Sequence, residues 1–224
     1  QLNAWAQQQA QQSKYRTVGI YSGPLGFGYN TELIAKKKLK VPQTWADLLN
    51  PALKGEIQVA NPASSGTAYT MVATLVQLMG EDKAFDYMKA LHKNISQYTR
   101  SGTGPIKAVA RGETAVSISF VHDVTTEAIQ GFPVGSATPS EGTGAEIGSM
   151  SIVKGARNME VAKKFYEWAL TPGAQQFGVR RQREAQRLGF LERLPGVVRR
   201  HQGPGVGLRR RHRETAALQP LERP

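Results

Sequence analysis

The sequence predicts an α/β fold with mostly parallel sheets. Short apolar strands alternate with amphipathic helices from about residue 17 to residue 170, an order that is typical of this class. Apolar residues make up 40% of the 224 residues, which is enough for one large domain or two small ones with real cores. The chain has no cysteine, which excludes disulfides and thiolate chemistry, and no apolar run is long enough to span a bilayer.

The first half of the chain contains strands and helices with clear local signals. A Gln- and Ala-rich helix covers residues 1–14, and a strand at 17–22 follows it. The glycine-rich stretch GPLGFGYN predicts a bend or tight packing. Thr44 and Asp47 have capping-box spacing, which indicates a helix start at TWADLL. The other elements are a strand at 56–60 and helices at about 68–79 and 82–91, the second with Phe85, Met88 and Leu91 on one face.

The second half repeats the alternation. The strand ISQYT precedes the glycine-rich loop RSGTGP and a short helix at 106–111. The strand TAVSISF precedes a helix at about 124–130, and two further strands follow at FPVGSAT and 146–153. A last amphipathic helix at 159–170 is predicted to turn inward the side chains of Val161, Phe165, Trp168 and Ala169.

Two loops combine hydroxyl groups and a glycine immediately before a helix. The first contains Ser64, Ser65, Gly66 and Thr67, and the second contains Ser101, Gly102 and Thr103. The first N–H groups of a helix lack internal partners and the helix dipole is positive there, so either loop suits phosphate, phosphonate, carboxylate or sulfate. The alternative is that these hydroxyls are ordinary N-caps.

An acid and histidine cluster follows the strand TAVSISF. His122 and Asp123 come directly after it, and Glu146 begins a later strand. These side chains can exchange hydrogen bonds with ligand hydroxyls or amines, or His122 and Asp123 can cap the next helix. An enzyme could use such a set for acid–base work, but G-x-S-x-G, P-loop and G-x-G-x-x-G motifs are missing, and a His-Asp pair is too sparse for a metal site.

Several stretches together resemble one family. They are GPLGFGYNTELI, TWADLLNPALKGEIQVANPASSGTAYT, QYTRSGTGPIKAVARGETAVSISFVHD and FYEWALTPGAQ, in an order and spacing that hold from about residue 1 to residue 177. They are similar to ABC-type extracytoplasmic solute-binding proteins of the cluster that holds ferric-ion, phosphonate and hexose-phosphate receptors. The resemblance implies a two-lobed, type II periplasmic-binding-protein fold that traps a small ligand between its lobes without turnover.

The resemblance also implies ligand roles for single positions. Ferric receptors of the cluster carry two adjacent tyrosines where this chain has Phe120 and Val121, which cannot ligate iron. Hexose-phosphate receptors place a His-Asp pair and a later Glu on sugar hydroxyls, which matches His122, Asp123 and Glu146. Their phosphate lies on loops like the two described above, a feature that phosphonate receptors share. A phosphorylated or phosphonate ligand is therefore expected, with a ferric-ion, other small-anion or polyamine receptor as the alternative.

The resemblance further implies a division of the chain. Residues 1–26 would be a remnant of lobe one plus the hinge, residues 27–150 lobe two, and residues 151–179 the return to lobe one. Family members are longer at the front, so we expect an N-terminal truncation that lacks the signal peptide of a periplasmic protein. The expected partners are a small anionic ligand and an ABC permease in the inner membrane, for a monomer that uses no cofactor or metal.

Residues 180–224 have a composition unlike the rest of the chain. They contain twelve Arg, four Glu and no Lys, which gives a net charge of +8 out of +12 for the whole chain. The periodicity ends there, and Lys, Asp, Asn and Ser disappear together. We expect a disordered or non-native tail, as would follow from reading a GC-rich gene out of frame. Nucleic-acid binding through the arginines is a remote alternative, since no recognition motif or set of stacking aromatics accompanies them.

Overall fold

The computed structural model describes residues 4–177, which form one six-stranded mixed sheet with helices on both faces. The strands are β1 (Val18–Asn30), β2 (Ile57–Ala60), β3 (Ile95–Thr99), β4 (Val116–Phe120), β5 (Val134–Ala137) and β6 (Ala145–Met150). The helices are α1 (Ala4–Gln12), α2 (Thr31–Lys36), α3 (Gly66–Met79), α4 (Glu81–His92), α5 (Gly104–Ala110), α6 (Val121–Ile129) and α7 (Met159–Ala169), with 3-10 turns at Ala46–Leu49 and Pro51–Leu53.

A single reversed strand makes the sheet mixed. The order is β3-β2-β4-β1-β5, and β6 pairs with β1 beyond this path. β2 is parallel to β3 and β4, as expected for strands joined by helices. β1 runs antiparallel to β4, β5 and β6. The prediction of mostly parallel sheets is therefore wrong, because β1 lies between β4 and β5 and reverses both pairings.

The glycine-rich stretch is the middle of β1 and not a bend. Residues from Val18 to Pro24 pair with β6, and those from Leu25 to Asn30 lie between β4 and β5. A side chain at Gly28 would overlap Ile106 and Val124 on the covering helices. The glycines thus serve tight packing, the second of the two predicted possibilities, because helices α5 and α6 lie directly on the strand.

Two apolar clusters cover the two faces of the sheet. The larger one packs α3, α4 and the 3-10 turns against the sheet, and its fully buried members include Leu25, Phe27, Trp45, Leu48, Ile57, Leu75, Leu91 and Ile118. The smaller one lies under α5 and α6 and contains Ile106, Val109, Ala110, Val124 and Val134. This double cover fixes the carboxyl ends of β2 and β4, and the edge strand β3 is held beside them by its pairing with β2.

Two predicted helix faces differ from the structure. Phe85 is 48% exposed on α4, so only Leu91 and the partly buried Met88 of that predicted face pack inward. On α7, Val161, Phe165 and Trp168 are 66%, 59% and 51% exposed, and no residue of the helix is buried. Amphipathic spacing shows which side of a helix is apolar, but it does not supply the surface that covers that side.

Some sequence predictions fall outside this description. Residues 178–224, including the Arg-rich segment, lie outside the described residues, and the state of that segment stays a prediction. The division into lobe segments at residues 26, 150 and 179 also stays a prediction. Within residues 4–177, no helix combines the length and apolar character needed to cross a membrane.

Candidate functional site

The candidate site lies at the carboxyl edge of three neighbouring parallel strands. β2, β3 and β4 end at Ala60, Thr99 and Phe120, and each is followed by a helix, α3, α5 and α6 respectively. Because the strands are parallel and adjacent, the three helices begin at the same edge of the sheet. Their N-terminal N–H groups and positive dipole ends are therefore brought together there.

No side chain caps these three helices. Helices α4 and α7 also lack a side-chain cap, whereas α2 and the segment at Thr44 and Asp47 have one. The Asn30 side chain accepts hydrogen bonds from Glu32 N and Leu33 N at the start of α2. Thr44 and Asp47 form the predicted reciprocal capping box. By contrast, side-chain capping bonds are missing at the starts of α3, α5 and α6. The capping interpretation of both hydroxyl loops and of His122 and Asp123 is therefore wrong.

The two hydroxyl-rich loops lie against each other. The Ser64 hydroxyl donates to the carbonyl of Arg100 at 3.0 Å, which ties the first loop to the start of the second. A Cβ atom at Gly102 would lie 3.0 Å from Ser65 Oγ and would overlap Thr67, so glycine lets the loops approach. The hydroxyls of Ser101 and Thr103 lie 3.2 Å apart. These contacts place the hydroxyls of both loops around the start of α3.

Ser65 stands out among these hydroxyls. The residue is only 8% exposed, and its Oγ is buried without a hydrogen-bond partner within the described chain. It directly precedes α3, a helix of 14 residues whose first N–H groups are uncapped. A buried hydroxyl without a partner costs free energy, so the arrangement is suited to a group that supplies acceptor oxygens.

His122 is held beside Asp123 by surrounding rings. Its Nε2 lies 3.6 Å from Asp123 Oδ1. The Phe120 ring stacks on the imidazole with a centroid distance of 5.3 Å and an angle of 11°, and the Tyr21 ring meets it edge-on at 5.9 Å and 74°. Gly23 lies directly against the His122 ring and leaves no space for a Cβ atom. The imidazole therefore has close neighbours on several sides although its side chain is about half exposed.

Glu146 joins the acid group to the hydroxyl loops. A Cβ atom at Gly66 would lie 4.0 Å from Glu146 Oε1. Burial raises the pKa of Asp123, a change that His122 and Lys107 oppose and that Glu146 reinforces. Burial likewise raises the pKa of Tyr21, and Glu146 and Asp123 add to that rise. The ten sequence-predicted residues thus share one edge, with the hydroxyl loops at the starts of α3 and α5 and the carboxylates at the start of α6 and on β6.

Two residues of this edge have no counterpart among the sequence predictions. Tyr21 is on β1 and Lys107 is on α5, about 100 and 15 residues from Asp123 along the chain. The predicted strand at 17–22 carries no signal of the ring contact between Tyr21 and His122, since that contact depends on the β1–β4 pairing. Lys107 reads as an ordinary surface lysine of a short helix.

The metal-ligand possibilities are limited within residues 4–177. Phe120 and Val121, where the ferric receptors have tyrosines, are 5% and 6% exposed and offer no ligand oxygen. No group of three or more His, Cys, Asp or Glu side chains in this part of the chain is arranged to hold a metal ion. The side chains that are present can bind hydroxyls and anions by hydrogen bonding.

Comparisons with known proteins agree with this architecture. The chain is 53% identical over 158 residues to an uncharacterized protein of Haemophilus influenzae, with 70% of this chain and 46% of that protein covered. It is 54% identical to the periplasmic binding protein AfuA of Actinobacillus pleuropneumoniae, solved with exogenous fructose-6-phosphate bound, at a TM-score of 0.70 that covers 74% of this chain and 52% of that one. The periplasmic binding protein P5PA matches at 44% identity and a TM-score of 0.74, with 79% and 56% covered.

These similarities cover most of the described residues and only part of each relative. The chain spans about half the length of the relatives that it matches. A family model matches residues 2–184, which is well over half of the chain. The chain therefore belongs to the family of bacterial extracellular solute-binding proteins.

Proposed function

We propose that this chain is part of the substrate-binding component of an ABC importer and binds a small phosphorylated ligand, with phosphonates as the nearest alternative. The phosphate is held at the start of α3 by Ser64, Ser65, Gly66 and Thr67, with help from Ser101, Gly102 and Thr103. The remainder of the ligand, a sugar in our proposal, lies on His122, Asp123 and Glu146. The anion and the hydroxyl groups thus have separate binding surfaces at one edge.

The observation that carries the proposal is the unpartnered Ser65 hydroxyl at an uncapped helix start. A phosphate oxygen would accept hydrogen bonds from this hydroxyl and from the first N–H groups of α3, where the helix dipole favours negative charge. The neighbouring hydroxyl loop adds further donors at short range. Each of these donors is unused by side-chain capping, so binding would not have to break a cap.

The opposite side of the edge suits hydroxyl groups better than a second anion. Glu146 is close enough to Asp123 to disfavour the charged form of Asp123. A second phosphate there would meet two carboxylates, whereas sugar hydroxyls donate to them. The ligand that fits is therefore an anion at one end and a polyol at the other.

The relatives support this ligand class without fixing it. AfuA, at 54% identity, was solved with fructose-6-phosphate bound, which combines a phosphate and a polyol. A relative from Synechocystis that is 27% identical is an iron uptake protein, so the family also includes proteins of iron transport. The apolar side chains at Phe120 and Val121 favour the phosphorylated ligand over ferric ion for this chain.

Family membership supports a proposal for the wider role. We infer an extracytoplasmic, periplasmic protein that acts as a monomer, delivers its ligand to a permease in the inner membrane, and neither catalyses a reaction nor binds nucleic acid. We also infer that residues 1–26 and 151–179 belong with one lobe and residues 27–150 with the other. The ligand would then close the cleft between the lobes, as solute-binding proteins of this kind do by hinge motion.

Calorimetric titration tests the function. Because the chain spans half of its relatives, the titration uses both this chain and a completed chain, in which the parts of the Actinobacillus protein that it does not cover are added. We expect the completed chain to bind hexose phosphates or aminoalkylphosphonates and to ignore ferric ion. Ferric binding without any phosphate-type binding would overturn the proposal.

A further inference from the structure

We propose that Tyr21 is a positioning residue that fixes the orientation of His122, and through it makes the site selective for ligands that carry hydroxyl groups. The inference rests on the proposed function, since it assigns His122 to the hydroxyl end of the ligand. Tyr21 itself acts through its ring and not as a direct ligand.

The Tyr21 ring packs against the neighbouring strand β6. β1 pairs with β6 in a register that places Tyr21 opposite Gly148, just after a register shift between Gly19 and Tyr21. The ring lies so closely over Gly148 that a Cβ atom there would overlap it. Glycine at this position therefore gives the ring a flat seat across the two strands.

The His122 imidazole has close neighbours on three sides. Phe120 stacks on the imidazole, Tyr21 meets it edge-on, and the backbone at Gly23 closes the side next to Nδ1. Aromatic rings in stacked and edge-on arrangements contribute favourable contact beyond their buried area. With these sides occupied, Nε2 is the ring nitrogen left for a ligand hydroxyl, because its 3.6 Å separation from Asp123 Oδ1 is too long for a direct hydrogen bond. Phe120 and His122 are two residues apart on one segment, so Tyr21 is the ring contact that comes from elsewhere in the fold.

The functional consequence follows from the exposure of the ring. About half of the His122 side chain is open to solvent, where a freely rotating imidazole would lose entropy on binding a ligand. A held imidazole has lost that freedom in advance, so its hydrogen bond to a hydroxyl group costs less to form. The benefit applies to ligands with a polyol end and not to bare phosphate, which binds at the start of α3.

Three variants test the role of the ring in the completed chain. Tyr21→Ala removes the ring, Tyr21→Phe keeps it without the hydroxyl, and Gly148→Ala pushes it from its seat. Tyr98→Ala is the matched control, because Tyr98 stacks on His92 at 5.7 Å on the edge strand β3. The readouts are the NMR shifts of the His122 imidazole, which report ring currents from its neighbours, and titrations with fructose-6-phosphate and with inorganic phosphate.

We expect Tyr21→Ala and Gly148→Ala to move the His122 resonances and to weaken fructose-6-phosphate binding about tenfold, the equivalent of about 1.4 kcal/mol. Phosphate binding should be unchanged, and Tyr21→Phe should match the unmodified protein within about threefold. Equal losses for both ligands, unmoved His122 resonances, or a loss in Tyr21→Phe as large as in Tyr21→Ala would overturn the positioning role. Failure of the unmodified completed chain to bind any hexose phosphate or aminoalkylphosphonate would instead overturn the proposed function.

Discussion

The Ser65 hydroxyl is expected to destabilise the free protein and to stabilise the complex with the ligand. Its buried hydroxyl lacks a partner in the described structure, so removing it relieves a desolvation cost in the free protein. We expect Ser65→Ala to leave stability unchanged or slightly raised while weakening phosphate binding about tenfold to a hundredfold. Thermal melting and calorimetry measure the two effects on the completed chain.

Ser136 provides the matched control for Ser65. It is 6% exposed, its Oγ also lacks a described partner, and it lies on β5, which carries none of the ten predicted site residues. Ser136→Ala should resemble Ser65→Ala in stability and leave phosphate affinity unaltered. Equal binding losses for the two variants would show that the effect comes from the fold and not from a ligand contact.

His122 and Asp123 are expected to act only on the hydroxyl end of the ligand. A lost polar contact in a closed cleft costs on the order of 1–3 kcal/mol. His122→Ala and Asp123→Ala should therefore weaken fructose-6-phosphate binding about tenfold to a hundredfold and barely affect bare phosphate. Titrations with both ligands check this, and equal losses would contradict the division of the edge into two surfaces.

Asp123 should also destabilise the free protein at neutral pH. Burial raises its pKa above the ordinary value of 3.8, so the folded state holds this proton more tightly than the unfolded state. Unfolding then releases a proton, and stability falls as the pH rises from about 3.8 through the raised pKa. Asp123→Asn is expected to raise the melting temperature by about 1–4 °C at about pH 7 and to have little effect at about pH 3.

Asp86→Asn is the control for this pH dependence, because Asp86 is an exposed aspartate of α4. It measures the effect of removing one exposed negative charge from a basic chain, together with a surface ion pair to Lys89 that contributes little. If Asp123→Asn lowers the melting temperature at neutral pH relative to this control, Asp123 contributes to stability in its charged form, and the assignment of a binding role at an energetic cost fails.

Asp47, at the start of the 3-10 turn at Ala46–Leu49, is expected to stabilise the protein in its charged form, the opposite of Asp123. Backbone N–H groups of Gln43 and Thr44 donate to Asp47 at 2.8 and 2.9 Å, and the Gln43 bond chiefly holds the pKa of Asp47 below its ordinary value. That stability is present above the unfolded pKa and is lost as the pH falls through the lowered folded pKa. Asp47→Ala should cost about 0.5–2 kcal/mol at neutral pH and less in acid, as urea unfolding at two pH values would show.

Asp47 and Asp123 differ in how far their surroundings could be predicted from the sequence. The capping box was predictable from Thr44 and Asp47 alone, because both partners lie within four residues. The environment of Asp123 was not, because Lys107 and Glu146 reach it through the fold. A loss of stability for Asp47→Ala that does not shrink at low pH would contradict the capping account.

Helix α7 has an exposed apolar face, which consists of Val161, Phe165 and Trp168. These side chains are more than half exposed, so Phe165→Gln should change the free energy of unfolding by less than about 0.5 kcal/mol. Leu91→Ala is the contrast, since Leu91 is 1% exposed in the core and should cost about 2–5 kcal/mol. Urea unfolding of this chain distinguishes the two, and similar losses would mean that the α7 face is covered.

The order of strands and helices was predictable because it depends on local periodicity. The elements around β2, β3 and β4 match the predicted ones closely, and their order places the two hydroxyl loops and His122 at strand ends. The direction of β1 was not predictable, since antiparallel pairing with β4 and β5 joins residues about 90 to 110 apart. The sequence left a bend and tight packing both open for the glycines of β1, because their close contact with α5 and α6 forms only in the folded protein.

The candidate site, like the sheet, could be predicted from the sequence only in part. Residue types and loop positions predicted which side chains could bind an anion and which could bind hydroxyls. They did not reveal that three helix starts lack caps, that Ser65 is buried, or that Tyr21 grips His122. Each of these features comes from elements that meet only after the sheet has formed.

A crystal structure of the completed chain with fructose-6-phosphate would locate both ends of the ligand. We expect phosphate oxygens within about 2.7–3.2 Å of Ser65 Oγ and the first N–H groups of α3, with sugar hydroxyls donating to Asp123 and Glu146. A phosphate bound on the Lys107 side, with Ser65 still unpartnered and the carboxylates away from the sugar, would contradict this expectation.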